Sequence, residues 1–228
     1  MAVHVAAMAG HVHMLHWLVK NHRADFAGLR EGCLTPIDRA AQHGRLDAVM
    51  WLHEHCVEGY SSETLALAAQ CGHVKVLRWL HHHSSVSCTS EAMVGAAAHN
   101  ELATVKWLFQ HGRHNDNHAA ILKAAECGHE QVVAWLYLHG GHAHAVQAML
   151  VAARCGQLNV VKWLYKNARE LTLNDHSYNL STAVHLAATE DHTRVVADAT
   201  NDAEKTTTED VVINVLDWDE QETGMKLM

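Results

Sequence analysis

Proline and phenylalanine are nearly absent from this chain of 228 residues, which contains one proline and two phenylalanines. All-β folds use prolines in turns and aromatic residues in strands, so their scarcity favours helices. Histidines interrupt the uncharged segments, and no segment reaches the roughly 18 apolar residues of a membrane span. Residues 1–10 lack the positive start and apolar stretch of a secretory signal. These absences predict a soluble protein of the cytoplasm or nucleus, without membrane contact, whose six cysteines are reduced.

A basic surface is also lacking. The 25 acidic side chains outnumber the 17 basic ones, and residues 197–228 hold nine of the acids against two lysines. The remaining residues 1–196 therefore carry 16 acids and 15 bases, a nearly neutral body. Phosphate backbones are bound through clustered lysine and arginine, so a nucleic-acid partner is not expected.

Tryptophan shows the organisation of the chain. Each of six tryptophans is followed by leucine, and all but the first interval between them are 28 residues long: Trp17, Trp51, Trp79, Trp107, Trp135 and Trp163. A glycine, or in one case Asn100, stands seven residues before each of them. Two alanines always occupy the third and fourth positions before that residue. A repeat of this kind predicts stacked units that bury their apolar faces against one another.

Each unit has the pattern of two short antiparallel helices. An apolar residue lies seven positions before the glycine, and the alanine pair follows one turn later on the same side. The glycine, or Asn100, ends the first helix in the left-handed conformation. The second helix carries an apolar stripe, which Glu130 interrupts in the fifth unit, so Glu130 is expected either to lean outward or to disturb the packing there.

The segment Leu34–Gly44 resembles the ankyrin signature, with Thr35-Pro36-Ile37-Asp38 in place of Thr-Pro-Leu-His, followed by an alanine pair and a glycine. Residues 183–188 are a looser match, and Gly-His stands at three of the turn positions, beginning at Gly10, Gly72 and Gly128. The resemblance implies an all-α, ankyrin-like solenoid of helical hairpins with about seven units. Because the period is about five residues shorter than the usual 33, we expect short loops without full β-hairpins.

Domain boundaries follow from the repeat. The array is predicted over residues 1–198, with units near 1–28, 34–60, 62–88, 90–116, 118–144, 146–172 and 181–198. Residues 199–228 form an acidic tail, in which residues 209–218 have the pattern of a capping helix or a peptide ligand. The chain begins inside the first helix without a polar cap, which predicts either a monomer with a frayed first unit or a piece of a longer chain.

The 23 histidines suggest a metal site, but their placement favours a structural role. The position four after each tryptophan is histidine or asparagine, a side chain that can bind carbonyls at the end of the second helix. Equivalent positions of adjacent units are roughly 10 Å apart, too far for two imidazoles to share one ion. No metal site and no cofactor are therefore predicted.

Catalytic patterns are not found either. Cys71, Cys127 and Cys155 share one repeat position and are predicted to be small, half-buried side chains, since stacked equivalents lie too far apart for a disulfide. The sequence contains no phosphate-binding glycine loop, no Cys-x-x-Cys pair and no nucleophile elbow. The chain is predicted not to be an enzyme.

The two positions before each glycine vary while their neighbours repeat, which is typical of an exposed or specificity-determining surface. Ankyrin-like proteins commonly contact partners there, on a concave face, so the resemblance implies a binding strip: Gln42, His43, Gln70, Ala98, His99, Glu126 and Arg154. The leading interpretation is a non-catalytic scaffold or adaptor for another protein. The alternatives are a metal- or pH-responsive histidine-rich protein, and the recognition segment of a larger enzyme.

Overall fold

The computed structural model describes residues 2–22, 34–55, 61–83, 89–112 and 117–168, together with the helical residues 183, 185, 187 and 188. Within these residues the chain forms twelve α-helices and one short 3-10 helix. No helix among them is long and apolar enough to cross a bilayer. The predicted capping helix at 209–218 lies outside the described residues.

The helices alternate between two sets. The first helices of the repeats are α1 (Ala2–Ala9), α3 (Pro36–Gln42), α5 (Ser62–Gln70), α7 (Ser90–Ala98), α9 (Asn117–Cys127) and α11 (Ala145–Arg154). The second helices are α2 (Val12–His22), α4 (Leu46–His55), α6 (Val74–His83), α8 (Leu102–His111), α10 (Glu130–Leu138) and α12 (Leu158–Ala168). The 3-10 helix, Gly141–His144, leads from α10 into α11.

The chain divides into two compact units, residues 1–116 and 117–228. In the first unit, α1, α3, α5 and α7 pack side by side as one layer, and α2, α4, α6 and α8 pack as a second. In the second unit, α9 packs on α11 and α10 packs on α12. Each unit is therefore a stack of helical hairpins, as the repeat predicts.

The alanine pairs form the centre of the first-helix layer. Both members are buried in each of the six described pairs: Ala6-Ala7, Ala40-Ala41, Ala68-Ala69, Ala96-Ala97, Ala124-Ala125 and Ala152-Ala153. Because alanine has the smallest apolar side chain of a good helix former, neighbouring helices can approach closely at these positions. The apolar residues one turn earlier are buried as well: Val3, Ile37, Leu65, Met93, Ile121 and Met149.

The turn between the two helices of a hairpin has the predicted left-handed residue. The φ angle is +67° at Gly44 and +61° at Asn100, and the glycines at the other equivalent positions share this region. At Gly44 a side chain would meet a second obstacle, because a Cβ atom would lie 2.6 Å from Nδ1 of His73 in the next repeat. Glycine is required there both for its backbone conformation and for clearance.

The start of α3 joins two repeats through a buried carboxylate. Thr35 is the N-cap residue, and its backbone N–H and hydroxyl each donate to Oδ2 of Asp38 at 2.8 Å. The hydroxyl of Thr64, fully buried on α5, donates to Oδ1 of Asp38 at 2.5 Å. Asp38 is therefore hydrogen-bonded on both oxygens, as a buried carboxylate needs to be.

The residue four positions after each of the six repeat tryptophans binds that tryptophan's carbonyl, which confirms the structural role predicted for it. Nδ1–H of His83 donates to the carbonyl of Trp79 at 2.9 Å, and the imidazole stacks on the indole with ring centres 4.2 Å apart. The same bond and stack occur at Trp51 with His55, Trp107 with His111 and Trp135 with His139. Asn21 and Asn167 make the bond through their side-chain amides.

At these helix ends a histidine or tyrosine ring also packs against the tryptophan of the next repeat. In the first unit, His53 meets the edge of Trp79 and His81 meets the edge of Trp107, with ring centres 5.2 and 5.4 Å apart. In the second unit, Tyr137 packs in the same way on Trp163. Trp107 is 5% exposed, as an inter-repeat core residue should be, whereas Trp17 on α2 is 51% exposed. Glu130 lies at the solvent-facing start of α10, as expected.

Candidate binding surface

The predicted strip lies at the C-terminal ends of the first helices. In the first unit, Gln42, Gln70 and Ala98 are the last residues of α3, α5 and α7, and all three are half-buried. His43 and His99 follow α3 and α7 and are exposed. Since these helices pack in the order α3, α5, α7, the structure brings the five residues to one edge of the layer.

His43 and His99 have a local structural role in addition to their exposure. Nδ1–H of each ring donates to the carbonyl four residues earlier, that of Arg39 or Gly95, at 2.9 Å. These bonds satisfy carbonyls in the last turn of the helix, which would otherwise need water. Nε2, the other nitrogen of each imidazole, is not part of this bond.

Gln70 bridges two first helices. Its side chain lies across Gly95 on α7, where a methyl group would overlap with the Cγ atom of Gln70. Gly95 is therefore a close-approach residue, and its place in the middle of α7 has a packing reason that offsets its weak helix propensity. In the adjacent repeat, Gln42 accepts a hydrogen bond at 3.4 Å from Nη1 of Arg39.

The other two predicted residues belong to the second unit. Glu126 on α9 pairs with Lys123, with Nζ 2.9 Å from one carboxylate oxygen and 3.0 Å from the other. This hydrogen bond and the carboxylate charge raise the pKa of Lys123. Arg154, exposed, ends α11, the helix that packs on α9. Charges of both signs therefore stand on this part of the strip.

The sequence analysis missed a side chain that fixes the edge of the strip. At three turns the residue after the turn glycine reaches back to the preceding repeat and donates to the carbonyl two residues before that repeat's glycine, and we call this side chain the clamp. In the first unit, Nε of Arg45 donates to the carbonyl of Met8, and Nε2–H of His73 to that of Gln42. In the second unit, Nε2 of Gln157 donates to the carbonyl of Glu126. In the sequence, a long polar residue follows every turn position. This pattern could have predicted the contact, but it was interpreted only as part of the family resemblance.

Glu101 departs from this pattern because a carboxylate cannot donate a hydrogen bond. Its side chain lies over Gly72, where a Cβ atom would overlap with it, and thus at the edge of the preceding repeat. Its negative charge acts on Cys71, the neighbour of Gly72. Cys71 is exposed as a residue, but partial burial of its thiol raises the thiol pKa, and the charge of Glu101 raises it further.

The cysteines and histidines of the described residues do not assemble a site with many ligands. Cys71 is exposed, Cys127 and Cys155 are half-buried, and all three are free thiols. Within the described ranges, no group of three or more histidine, cysteine, aspartate or glutamate side chains could hold a metal ion together.

Comparison with known families matches most of the chain to ankyrin repeats. One family model, described as ankyrin repeats in many copies, matches residues 3–53 and 38–81. A second, described as ankyrin repeats in three copies, matches residues 92–176. A search of curated protein sequences gives no significant match.

Solved structures give the same result at the level of the fold. The crystal structure of the human ASB11 ankyrin repeat domain is 16% identical in sequence and superposes with a TM-score of 0.61. The match covers 84% of this chain and 96% of that domain. At this identity the likeness concerns the fold and does not extend to the binding surface.

Proposed function

The chain belongs to the ankyrin repeat family, whose members are generally protein–protein interaction modules, and from this premise we propose that it is a non-catalytic scaffold. Its partner is another protein, bound along the ends of the first helices. The residues that contact the partner are Gln42, His43, Gln70, Ala98, His99, Glu126 and Arg154.

The observation that carries the proposal is the contrast between a fixed backbone and varied side chains at this edge. The clamp residue His73 donates to the carbonyl of Gln42 at 3.0 Å, while the side chain of Gln42 is partly exposed. The clamp from Gln157 does the same at Glu126. A surface of this kind is ordered before a partner arrives, so less conformational entropy is lost on binding.

The two units offer different contacts. The strip of the first unit contains amides, imidazoles and one alanine, with no acid among its five residues. The strip of the second unit carries Glu126 and Arg154. We propose that the first part supplies hydrogen bonds and the second part supplies charge complementarity, with a few anchors providing most of the affinity.

No catalytic step is assigned to this surface. Cys71 is exposed and directly follows Gln70, and its raised pKa lowers the fraction of thiolate. Since the thiolate is the nucleophilic form, this environment disfavours covalent catalysis.

Affinity capture with two matched variants tests the proposal. The surface variant combines Gln42→Ala, Gln70→Ala, Glu126→Ala and Arg154→Ala, and it leaves His43 and His99 in place because they bond to helix carbonyls. The control variant replaces four exposed second-helix residues, Lys75, Arg78, Lys106 and Lys162, by alanine. Both variants must match the unaltered chain in circular dichroism and in urea unfolding before capture is compared.

Proteins captured from a native lysate are quantified by mass spectrometry, and the binding of a purified candidate is then measured. We expect a partner that is retained by the unaltered chain and the control variant and lost by the surface variant. Equal capture by both variants, or loss from the control variant alone, would place binding elsewhere and overturn the proposal.

A further inference from the structure

Two imidazoles meet in the second unit, outside the proposed binding strip. His118 is the second residue of α9, and His144 is the last residue of the 3-10 helix. Their ring centres lie 4.4 Å apart, with an angle of 42° between the ring planes. The two residues occupy different repeat positions, ten residues before Gly128 and twelve before Gly156. A comparison of equivalent positions therefore does not reveal them.

Backbone contacts fix the segment that carries His144. Asn117, the neighbour of His118, donates through Nδ2 to the carbonyl of His139 at 3.1 Å, which joins the start of α9 to the end of α10. Gly140 turns the chain with φ of +106°, and Gly141 packs where a Cβ atom would lie 2.8 Å from the carbonyl oxygen of Leu136. Only glycine fits these two positions, so the turn fixes where the 3-10 helix begins.

The tautomer of His118 follows from its hydrogen bond. Nε2 lies 2.8 Å from Oε1 of Gln147, an atom that can only accept, so Nε2 carries the proton. Nδ1 of His118 is therefore the nitrogen with a lone pair. In metal sites, a ligating histidine almost always donates its other ring N–H to an oxygen, which orients the ring and increases its basicity. Gln147 supplies such an oxygen.

We propose that His118 and His144 chelate one divalent transition-metal ion of the zinc type, with Gln147 as the residue that positions His118. Imidazole nitrogen is a preferred ligand of such ions. Two imidazoles on one tetrahedral ion, with metal–nitrogen bonds of about 2.0–2.1 Å, have ring centres roughly 5 Å apart, a separation close to the 4.4 Å between these two rings. This inference does not depend on the proposed scaffold function.

The site is open because two ligands leave the remaining positions of the ion to water. No hydrogen bond to a described residue occupies either nitrogen of His144, so both are available to the ion. Two other pairs that join successive repeats are less suitable. His53 with His83 and His81 with His111 have ring centres 6.5 and 6.0 Å apart, and the second ring of each pair is stacked on a tryptophan and bonded to its carbonyl.

Competition with a chromophoric zinc chelator tests the proposal on the full chain. The test variant is His118→Gln with His144→Gln, and the control is His142→Ala, an exposed histidine in the same 3-10 helix. Zinc is supplied below one equivalent so that the tightest site is filled first. We expect the control to bind as the unaltered chain does and the double variant to lose the tightest equivalent, a loss of at least tenfold in affinity. Equal binding by the two variants overturns the proposal.

Gln147 separates an oriented site from general binding by a histidine-rich surface. Gln147→Leu removes the acceptor and is expected to weaken zinc binding by roughly 10–100-fold, the usual effect of losing such a partner. Gln147→Glu supplies a carboxylate acceptor and is expected to tighten it. Imidazole ¹⁵N spectra provide a direct readout, in which zinc shifts Nδ1 of His118 first. No response to either substitution, or a first response at another histidine, contradicts the assignment.

Discussion

The residue four positions after each tryptophan binds a helix carbonyl whether it is histidine or asparagine. His83 adds a stack on Trp79 to this bond, whereas Asn167 makes the bond without a stacked ring. The position therefore contains a natural comparison between a hydrogen bond alone and a hydrogen bond with an aromatic contact.

Substitutions at His83 should separate these two contributions. We expect His83→Ala to lower the free energy of unfolding by about 1–2 kcal/mol, because it removes a hydrogen bond and an aromatic contact. His83→Asn keeps the bond and should lose about half as much. Urea unfolding followed by circular dichroism measures both. If asparagine is as damaging as alanine, the stack alone stabilises the helix end.

Burial distinguishes the tryptophans from one another. Trp107→Ala should cost about 3–5 kcal/mol, because it opens a cavity between repeats. Trp17→Ala is the matched control and should cost much less, since half of that side chain is already exposed. Equal losses in thermal and urea unfolding would contradict the packing described for Trp107.

The reactivity of Cys71 should report the charge of Glu101. Because the carboxylate helps to raise the pKa of the thiol, Glu101→Gln should lower that pKa and shift the pH profile of alkylation to lower pH. At a fixed pH below the pKa, more thiolate is present and Cys71 should react faster. Mass spectrometry of each cysteine gives the rates, with Cys127 and Cys155 as reference thiols in the same sample. An unchanged profile would mean that burial alone sets the pKa.

At the scale of the helical elements, the clamp residue that follows the turn glycine links one repeat to the preceding repeat by a hydrogen bond, and this occurs at three turns. Arg45, His73 and Gln157 are chemically different, yet each donates to the backbone carbonyl at the equivalent position of its preceding repeat. Each of the three side chains places an N–H group within hydrogen-bonding distance of that carbonyl. The residue type at this position can therefore differ between repeats, provided that the side chain is long and polar.

A reciprocal exchange tests the clamp. Glu101→Gln introduces a donor of the type that Gln157 uses, and we expect it to raise the free energy of unfolding by about 1 kcal/mol, the typical value of one hydrogen bond. Gln157→Glu should lower it by a similar amount. Urea midpoints at constant m-value measure both changes. A destabilising Glu101→Gln would show that the carboxylate has a partner role of its own.

At the scale of the whole molecule, the described helices account for the ankyrin fold without the acidic tail. Deleting residues 199–228 removes none of the described helices and should leave the helical content almost unchanged. Circular dichroism and thermal melting measure this outcome. Loss of cooperative melting would instead show that the tail is the terminal cap which repeat arrays need.

The repeat frame could be predicted from the sequence because each of its features is a local steric requirement. The alanine pairs are small because helices meet there, and Asn100 takes the glycine position because asparagine tolerates positive φ. These requirements recur every 28 residues, so a pattern reveals them. The residues of the proposed strip were likewise located at helix ends, but the contacts of Gln42, Gln70 and Glu126 with Arg39, Gly95 and Lys123 were not foreseen.

Only the tertiary structure decided which non-equivalent residues meet. A periodic pattern compares residues at equivalent positions of different repeats, and such residues are separated by a whole repeat. His118 reaches His144, His81 reaches Trp107, and Glu101 lies beside Cys71 because the stacking offsets one hairpin against the next. The sequence by itself determined the helices, their turns and their core. The contacts between repeats depend on how side chains of different lengths cross the interface, which is a property of the packed molecule.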